Sequence, residues 1–430
     1  MKLNYEHFFF NKIPFYLTFL IPIFLVSGPF LADLAISVCA TIFLINSYKN
    51  KLIYYYKNTF FYLFISFYIY LNISSLISDN ILFSLKTSLP YLRFGIFVLS
   101  TWYLLNTNNR VLKYFYFCFL FIFLFLEVDG IYQFIFDYNL FNYPLNDKYR
   151  VSSLFGNELI LGSFLSRNYP LFFGLFLFLI EKNKLSKKNI LISYIVLFLL
   201  PILVFMAGER TSFFNFCFIT IYILLFMPKR KIFILIFIYI FLFITVILID
   251  EKIINKDQKK ISDRIINQTL SQLNFGIRDN QRPHLFSIVH EDHYRSAFKI
   301  FKDNLIFGAG PKSFRLKCSE QKYLVSDKSC TTHPHNIYVQ LLSETGLIGF
   351  LFVFLTFTGL LVITFKIFYK KYFLCNYINP LKICLMASFL TTLFPFVPSG
   401  NFFTNWLNVV YYLPVGFFLW TTKTRECKDN

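Results

Sequence analysis

An all-α protein threaded repeatedly through a membrane is the fold class this sequence predicts, on three observations. Its 430 residues are 56% hydrophobic and 22% aromatic, with 61 phenylalanines. That is more apolar surface than a soluble domain of this size can hide. The apolar residues fall in runs close to the roughly 20 residues a helix needs to cross the hydrocarbon. Much of the net charge of +19 sits in short segments between those runs, which is how a polytopic protein carries its positive-inside signal.

Twelve runs qualify or nearly qualify: 13–26, 30–47, 59–77, 81–105, 111–136, 159–180, 190–207, 212–227, 232–249, 337–367, 381–397 and 402–421. The first leads through Gly28 and Pro29 directly into the second, which reads as a retained helical hairpin rather than a cleaved leader. With the N terminus inside, the inner loops hold Lys49, Lys51 and Lys57, then Arg110 and Lys113, then Lys182, Lys184, Lys187 and Lys188. Further along, Lys229, Arg230 and Lys231 fall inside, as do Lys366, Lys370, Lys371 and the tail with Lys423, Arg425 and Lys428. The opposite short loops, around Gly28, Asp79, Gly208 and Gly400, hold almost no Lys or Arg, so both termini are expected in the cytoplasm.

Two outer segments are long: 137–158, and 251–336 between the ninth and tenth helices. The expected organisation is therefore 1–250 with nine helices, 251–336 as a large periplasmic loop, and 337–430 with three helices and a tail. An amphipathic stretch at 285–301 argues that the large loop folds against the membrane face. Cys39, Cys118, Cys217 and Cys384 lie in apolar runs and read as small core residues. Cys318 and Cys330 are the two in the large loop, on an oxidising side, and are expected to form a disulfide. A nucleic-acid partner is not expected, because the positive charge is spread over short loops rather than one folded face.

The strongest local signal lies where the large loop re-enters the membrane. His335 and Asn336 open the tenth helix, and Gly346 and Gly349 follow within it. Asn336 is a capping residue type, and the helix N-terminus disfavours a protonated imidazole while favouring bound phosphate. His335 is thus placed to be a neutral base beside an anion. Gly346 and Gly349 are small enough to admit another helix. Arg210, in the outer turn 208–212, runs against the charge bias of outer loops and suits a bidentate phosphate contact; a salt bridge to Glu209 or another loop acid is the simpler alternative. Arg295, on the amphipathic outer helix, is a second candidate, with a solvated face as its alternative. Arg93, within the fourth helix, is expected to meet a lipid phosphate or an internal acid such as Glu127 or Asp129. Arg150 and Arg167 flank the smaller outer loop and are further candidates for substrate. His290 and His293 share a helix face but have no clear third ligand, so a solvated surface is preferred to a metal site.

These residues resemble the O-antigen ligase and O-antigen polymerase superfamily of bacterial envelope proteins. His335-Asn336, nine residues, Gly346, two residues and Gly349 is similar to the ligase motif. The stretch from Arg295 through Gly308-Ala309-Gly310, the Arg210 turn, Asp129 through Gln133, and Arg150 through Asn157 also look like family segments. The resemblance implies a metal-independent, inverting glycosyl transfer without cofactor in the inner membrane, from a glycan on undecaprenyl pyrophosphate to a lipid A–core or other glycan hydroxyl. Arg210 and Arg295 would hold the pyrophosphate and His335 would take the acceptor proton. A polymerase joining lipid-linked repeat units differs in its acceptor alone. A transporter is the rival from another class; no inverted repeat is visible, and the polar candidates gather near one face rather than the midplane.

Overall fold

The computed structural model describes residues 8–108, 110–145, 150–226, 287–374 and 377–426. Their regular structure is helical, with one isolated antiparallel bridge between Tyr138 and Pro144. The run at 232–249 and the first part of the large loop lie outside the described residues.

The first run folds as two pieces, α1 (Ile13–Phe19) and α2 (Ile21–Ser27), with a bend of 53° between them. Pro22 lacks the N–H that would bond back one turn, so the helix cannot continue straight. Next come α3 (Pro29–Lys49) and α4 (Thr59–Ile77), then α5 (Ile81–Ser88) and α6 (Leu92–Thr107), joined by a 3-10 turn that holds Pro90. They are followed by α7 (Arg110–Phe136), α8 (Leu161–Glu181), α9 (Lys187–Met206) and α10 (Arg210–Leu225). The later part of the chain supplies α11 (Ile288–Asp303), α12 (Ile337–Tyr372), α13 (Pro380–Thr392) and α14 (Asn405–Glu426).

Among the described residues seven helices are long and apolar enough to cross a membrane, or eight if the bent pair counts as one span. The expected twelve is therefore not the number these residues display. The runs at 212–227 and 381–397 fold as shorter helices, α10 and α13. The latter stops at Thr392 because Pro395 and Pro398 cannot extend it, and the chain beyond turns back to the start of α12. Large apolar side chains stay exposed along the helices, Phe30, Leu82, Phe365 and Tyr48 among them. A contiguous apolar exterior of this kind needs lipid or protein against it. The interior is aromatic, with Trp102, Tyr91, Phe94, Phe97, Phe115 and Phe123 fully buried.

Capping is done by small polar residues. Asn58 accepts from the Phe61 N–H at 2.9 Å, Asn80 from Phe83 at 3.2 Å, and Ser186 from Asn189 at 3.3 Å. Each such cap is worth about 1 kcal/mol. The packing that positions the site is α12 against α11 and α4, α13 against α8, and α14 against α6 and α3.

Candidate functional site

Asn336 fixes the start of α12. Its Oδ1 accepts the N–H groups of Tyr338 at 2.9 Å and Val339 at 3.1 Å, and its Nδ2 donates to the Pro395 carbonyl at 2.8 Å. One side chain thus caps the helix and ties it to the turn after α13. One turn on, Gln340 does the same for the segment before α14. Its Nε2 donates to Asn401 at 3.0 Å and its Oε1 accepts the Phe402 N–H at 2.9 Å.

The residue before the cap is His335, with φ of +56°. A left-handed conformation costs a side chain such as this about 1–2 kcal/mol. The surroundings hold it there: its carbonyl accepts the Ser399 N–H at 2.8 Å. The ring enters a group of four imidazoles. Its centroid lies 4.2 Å from His333, 5.3 Å from His290 and 5.4 Å from His293. His333 is held through Thr332 Oγ1 at 3.0 Å and the Ser399 carbonyl at 3.3 Å. His290 and His293 come from the first turns of α11, and His293 is only 4% exposed. The expectation of a solvated face for this pair is overturned: that face of α11 packs on the start of α12. Among the described residues no group of three or more His, Cys, Asp or Glu is arranged to hold a metal ion.

Crowding keeps these rings neutral. Burial, then the His333, His290 and His293 rings, pushes the His335 imidazole down to about 3. Burial chiefly, with Arg315, His293 and His290 adding to it and the Ser399 backbone opposing, pushes His333 down to about 4. His290 is lowered by burial, by His293 and by the guanidinium of Arg210. Arg210 therefore stands within electrostatic reach of the cluster. The neutral His335 anticipated from the helix terminus has a different cause, namely desolvation and its imidazole neighbours.

Arg210 is the first residue of α10, and its turn is braced from behind. Glu209 is engaged elsewhere. The Glu209 carboxylate accepts the Gly162 N–H at 2.9 Å and the Ser212 hydroxyl at 2.8 Å, and lies 3.8 Å from Arg150. Around the cluster, His293 Nδ1 and Ser399 Oγ are buried without a hydrogen-bond partner among the described residues. Buried polar atoms of this sort are uncommon.

Gly346 lies ten positions beyond Asn336, with φ of +64°, and breaks α12. A Cβ there would collide with the Ile306 carbonyl, and one on Gly308 would collide with the backbone at Glu344 and Thr345. Two glycines pack back to back so that a loop, not a helix, lies against the break. The backbone polar groups freed at the break are taken up. Ala309 N–H donates to Ser343 at 3.0 Å, Gly310 N–H to Glu344 at 2.8 Å, and Leu347 N–H to Leu305 at 2.9 Å. At Gly349 the neighbour is a helix, through the Tyr70 ring of α4.

Residues 195–354 match the family model described as O-antigen ligase. This segment belongs to the O-antigen ligase superfamily. No curated protein matches the chain. The O-antigen ligase segment holds the imidazole cluster, Arg210 and the Gly346 break together.

Not every candidate residue joins that centre. Within the O-antigen ligase segment, Arg295 stands on the side of α11 away from His293, two residues and about 200° further round. It is 46% exposed and 3.7 Å from Glu291. Cys318 and Cys330 are disulfide-bonded, with a Cα–Cα distance of 5.0 Å. Outside the segment, Arg93 pairs not with Glu127 or Asp129 but with Asp33 of α3, Nη2 to Oδ1 at 2.8 Å. Asp129 is committed to the loop after α7, accepting the Leu140 N–H at 2.9 Å and the Ser153 hydroxyl. Arg150 is a strut, donating to the carbonyls of Leu159 at 2.7 Å and Ala207 at 3.1 Å. Arg167 is 8% exposed inside α8, donating to Ser163 Oγ at 3.2 Å and lying over the Tyr411 ring. His333 and Arg315 were not among the candidates legible in the sequence; the signal for the first was its place two residues from His335.

Proposed function

We propose that the chain is a membrane glycosyltransferase of the O-antigen ligase type. It works at the periplasmic face of the bacterial inner membrane, with both termini in the cytoplasm. The donor is a glycan on undecaprenyl pyrophosphate, and the acceptor is a hydroxyl of lipid A–core. The observation that carries this reading is His335, held in strained backbone inside a shell of imidazoles, with the charge of Arg210 bearing on His290 of that shell.

The reaction this arrangement suits is a single displacement. The acceptor hydroxyl attacks the anomeric carbon from the face opposite the pyrophosphate, so the new C–O bond forms as the old one breaks and the configuration inverts. His335 takes the hydroxyl proton; the pyrophosphate leaves with the bonding electrons. Charge builds on the departing oxygen, where a guanidinium stabilises it most; Arg210 is assigned that role. A pyrophosphate beside the cluster draws the proton affinity of His335 upward, because an anion favours the imidazolium. That moves the base toward the range where general-base catalysis is efficient. The donor thereby tunes the base that consumes it.

Complementation of a ligase-deleted host tests the reading, with lipopolysaccharide banding and the carrier-linked glycan pool as readouts. Wild type is expected to restore capped lipopolysaccharide; His335→Ala and Arg210→Ala, present at equal membrane levels, should leave glycan on the carrier. If wild type instead restores the ladder of a polymerase-deleted host and never caps, the ligase acceptor is wrong.

A further inference from the structure

Apart from the imidazole cluster, one cavity of about 560 Å³ opens between α3, the α5–α6 break and the turn at 308–312. Its charged lining is Lys86, Arg93 and Lys312 against Asp33, three cations to one anion. Arg93 is already satisfied by Asp33, to which Asn405 also donates at 3.1 Å. The two lysines have no such carboxylate partner among the described residues. Lys312 is aimed by its backbone. It sits at φ of +64°, and its N–H donates to Glu344 Oε2 at 3.1 Å. Burial lowers its ammonium, and Arg315 and Arg93 lower it further against the opposing pull of Glu344. With Arg315 nearby, four cationic centres are crowded against Asp33 on the cavity wall and Glu344 behind Lys312.

The cavity is also graded along its length. From Asp33 the lining descends α3 to Leu44, eleven residues and roughly 16 Å of helix rise. Leu44 and Leu89 at its edge are exposed on the apolar exterior. A charged head-end continuing into an apolar groove is the outline of an amphiphile, and Lys is a phosphate binder as a point charge.

We propose that this cavity seats the phosphoryl group of a membrane lipid between Lys86 and Lys312, with the lipid chain lying along α3. Arg315 lies three residues beyond Lys312, and its charge bears on both Lys312 and His333. Binding itself is independent of the glycosyl-transfer reading.

The test is direct binding to the full-length protein in dodecyl maltoside, a detergent without phosphate, titrated with dodecyl phosphate, dodecanol or inorganic phosphate. Dodecyl phosphate should bind at least tenfold more tightly than either partial probe. Lys86→Gln with Lys312→Gln should weaken it at least tenfold, and Lys86→Arg with Lys312→Arg should keep it close to wild type. His335→Ala should bind as wild type, so a failed complementation and a failed titration are told apart. If the double Gln variant does not fold, Lys86→Gln alone, at an exposed side chain, should still weaken binding at least threefold. The seat is overturned if the folded Gln variant binds dodecyl phosphate as wild type does. Equal binding of inorganic phosphate would reduce it to a free-anion site, and equal binding of dodecanol to a groove that reads only the chain.

Discussion

The Ser399 backbone N–H donates to the His335 carbonyl at 2.8 Å, so the residue proposed as base is held by a segment 64 positions away in sequence. Asn336 makes a parallel tie to the Pro395 carbonyl at 2.8 Å. Asn336→Ala should cost about 1–2 kcal/mol through the lost cap and should lower transfer further by releasing His335. Asn336→Asp keeps the acceptor for the α12 N–H groups but cannot donate to Pro395. It should recover most of the thermal midpoint and little of the transfer, measured on purified protein.

Gly346→Ala should be among the most damaging single changes in α12. The position combines a φ of +64° with a collision against the Ile306 carbonyl, so strain of roughly 1–3 kcal/mol adds to lost packing. Gly359→Ala, in the same helix with open space around it, is the silent control. Membrane levels and melting in detergent compare the two; equal behaviour would mean that the break is not needed.

The imidazole cluster should cost the fold stability as the pH falls. His333 and His335 are pushed down to about 4 and about 3, below the unfolded value near 6.5. As pH falls below about 6.5 the unfolded chain takes up protons that the folded chain declines, so stability is lost. It is fully present above that pH and drains away toward pH 4. The thermal midpoint should fall between pH 7 and 4.5, and His333→Asn with His335→Asn should flatten the slope.

Arg210→Ala and Arg295→Ala should part company. A hydrogen bond to a charged group is worth about 1.5–3 kcal/mol, so losing Arg210 should slow transfer more than tenfold. Arg295, exposed and paired within its own helix, carries about 0.3–0.5 kcal/mol and should leave transfer within threefold. Single-turnover assays with lipid-linked donor decide it; equal losses would bring Arg295 back to the pyrophosphate.

The cystine between Cys318 and Cys330 closes a loop of sequence separation 12, worth about 3 kcal/mol by loop-closure entropy. Cys318→Ser with Cys330→Ser should lower the thermal midpoint. Alkylation without reductant should label neither thiol of the pair in the wild type.

Helices were legible because apolar runs and small polar caps are local signals: Asn336 announces its helix from sequence alone. Where a run meets Pro395 or Pro398, length in the sequence overstates length in the helix. His335 and Arg210 stood out because an imidazole at a re-entry point, followed by a cap and two spaced glycines, and a cation in a bare outer loop contradict their surroundings. The partners of His290, His293 and Arg93 were not legible for one reason. Those partners, His335 and Asp33, lie 40 to 60 residues away, and no periodicity reports which helix face meets which. Gly346 was visible as a small residue, but the loop that fills its notch depends on Gly308, 38 residues earlier.

The break at Gly346 also makes the motif a ruler. Ten positions separate Asn336, pinned to one turn, from Gly346, pinned to another, and both ends are fixed in angle as well as in distance. One added residue would rotate the two ends by about 100° relative to each other. The interval can accept many side chains and no change of count, so its information is carried by its arithmetic rather than by its chemistry.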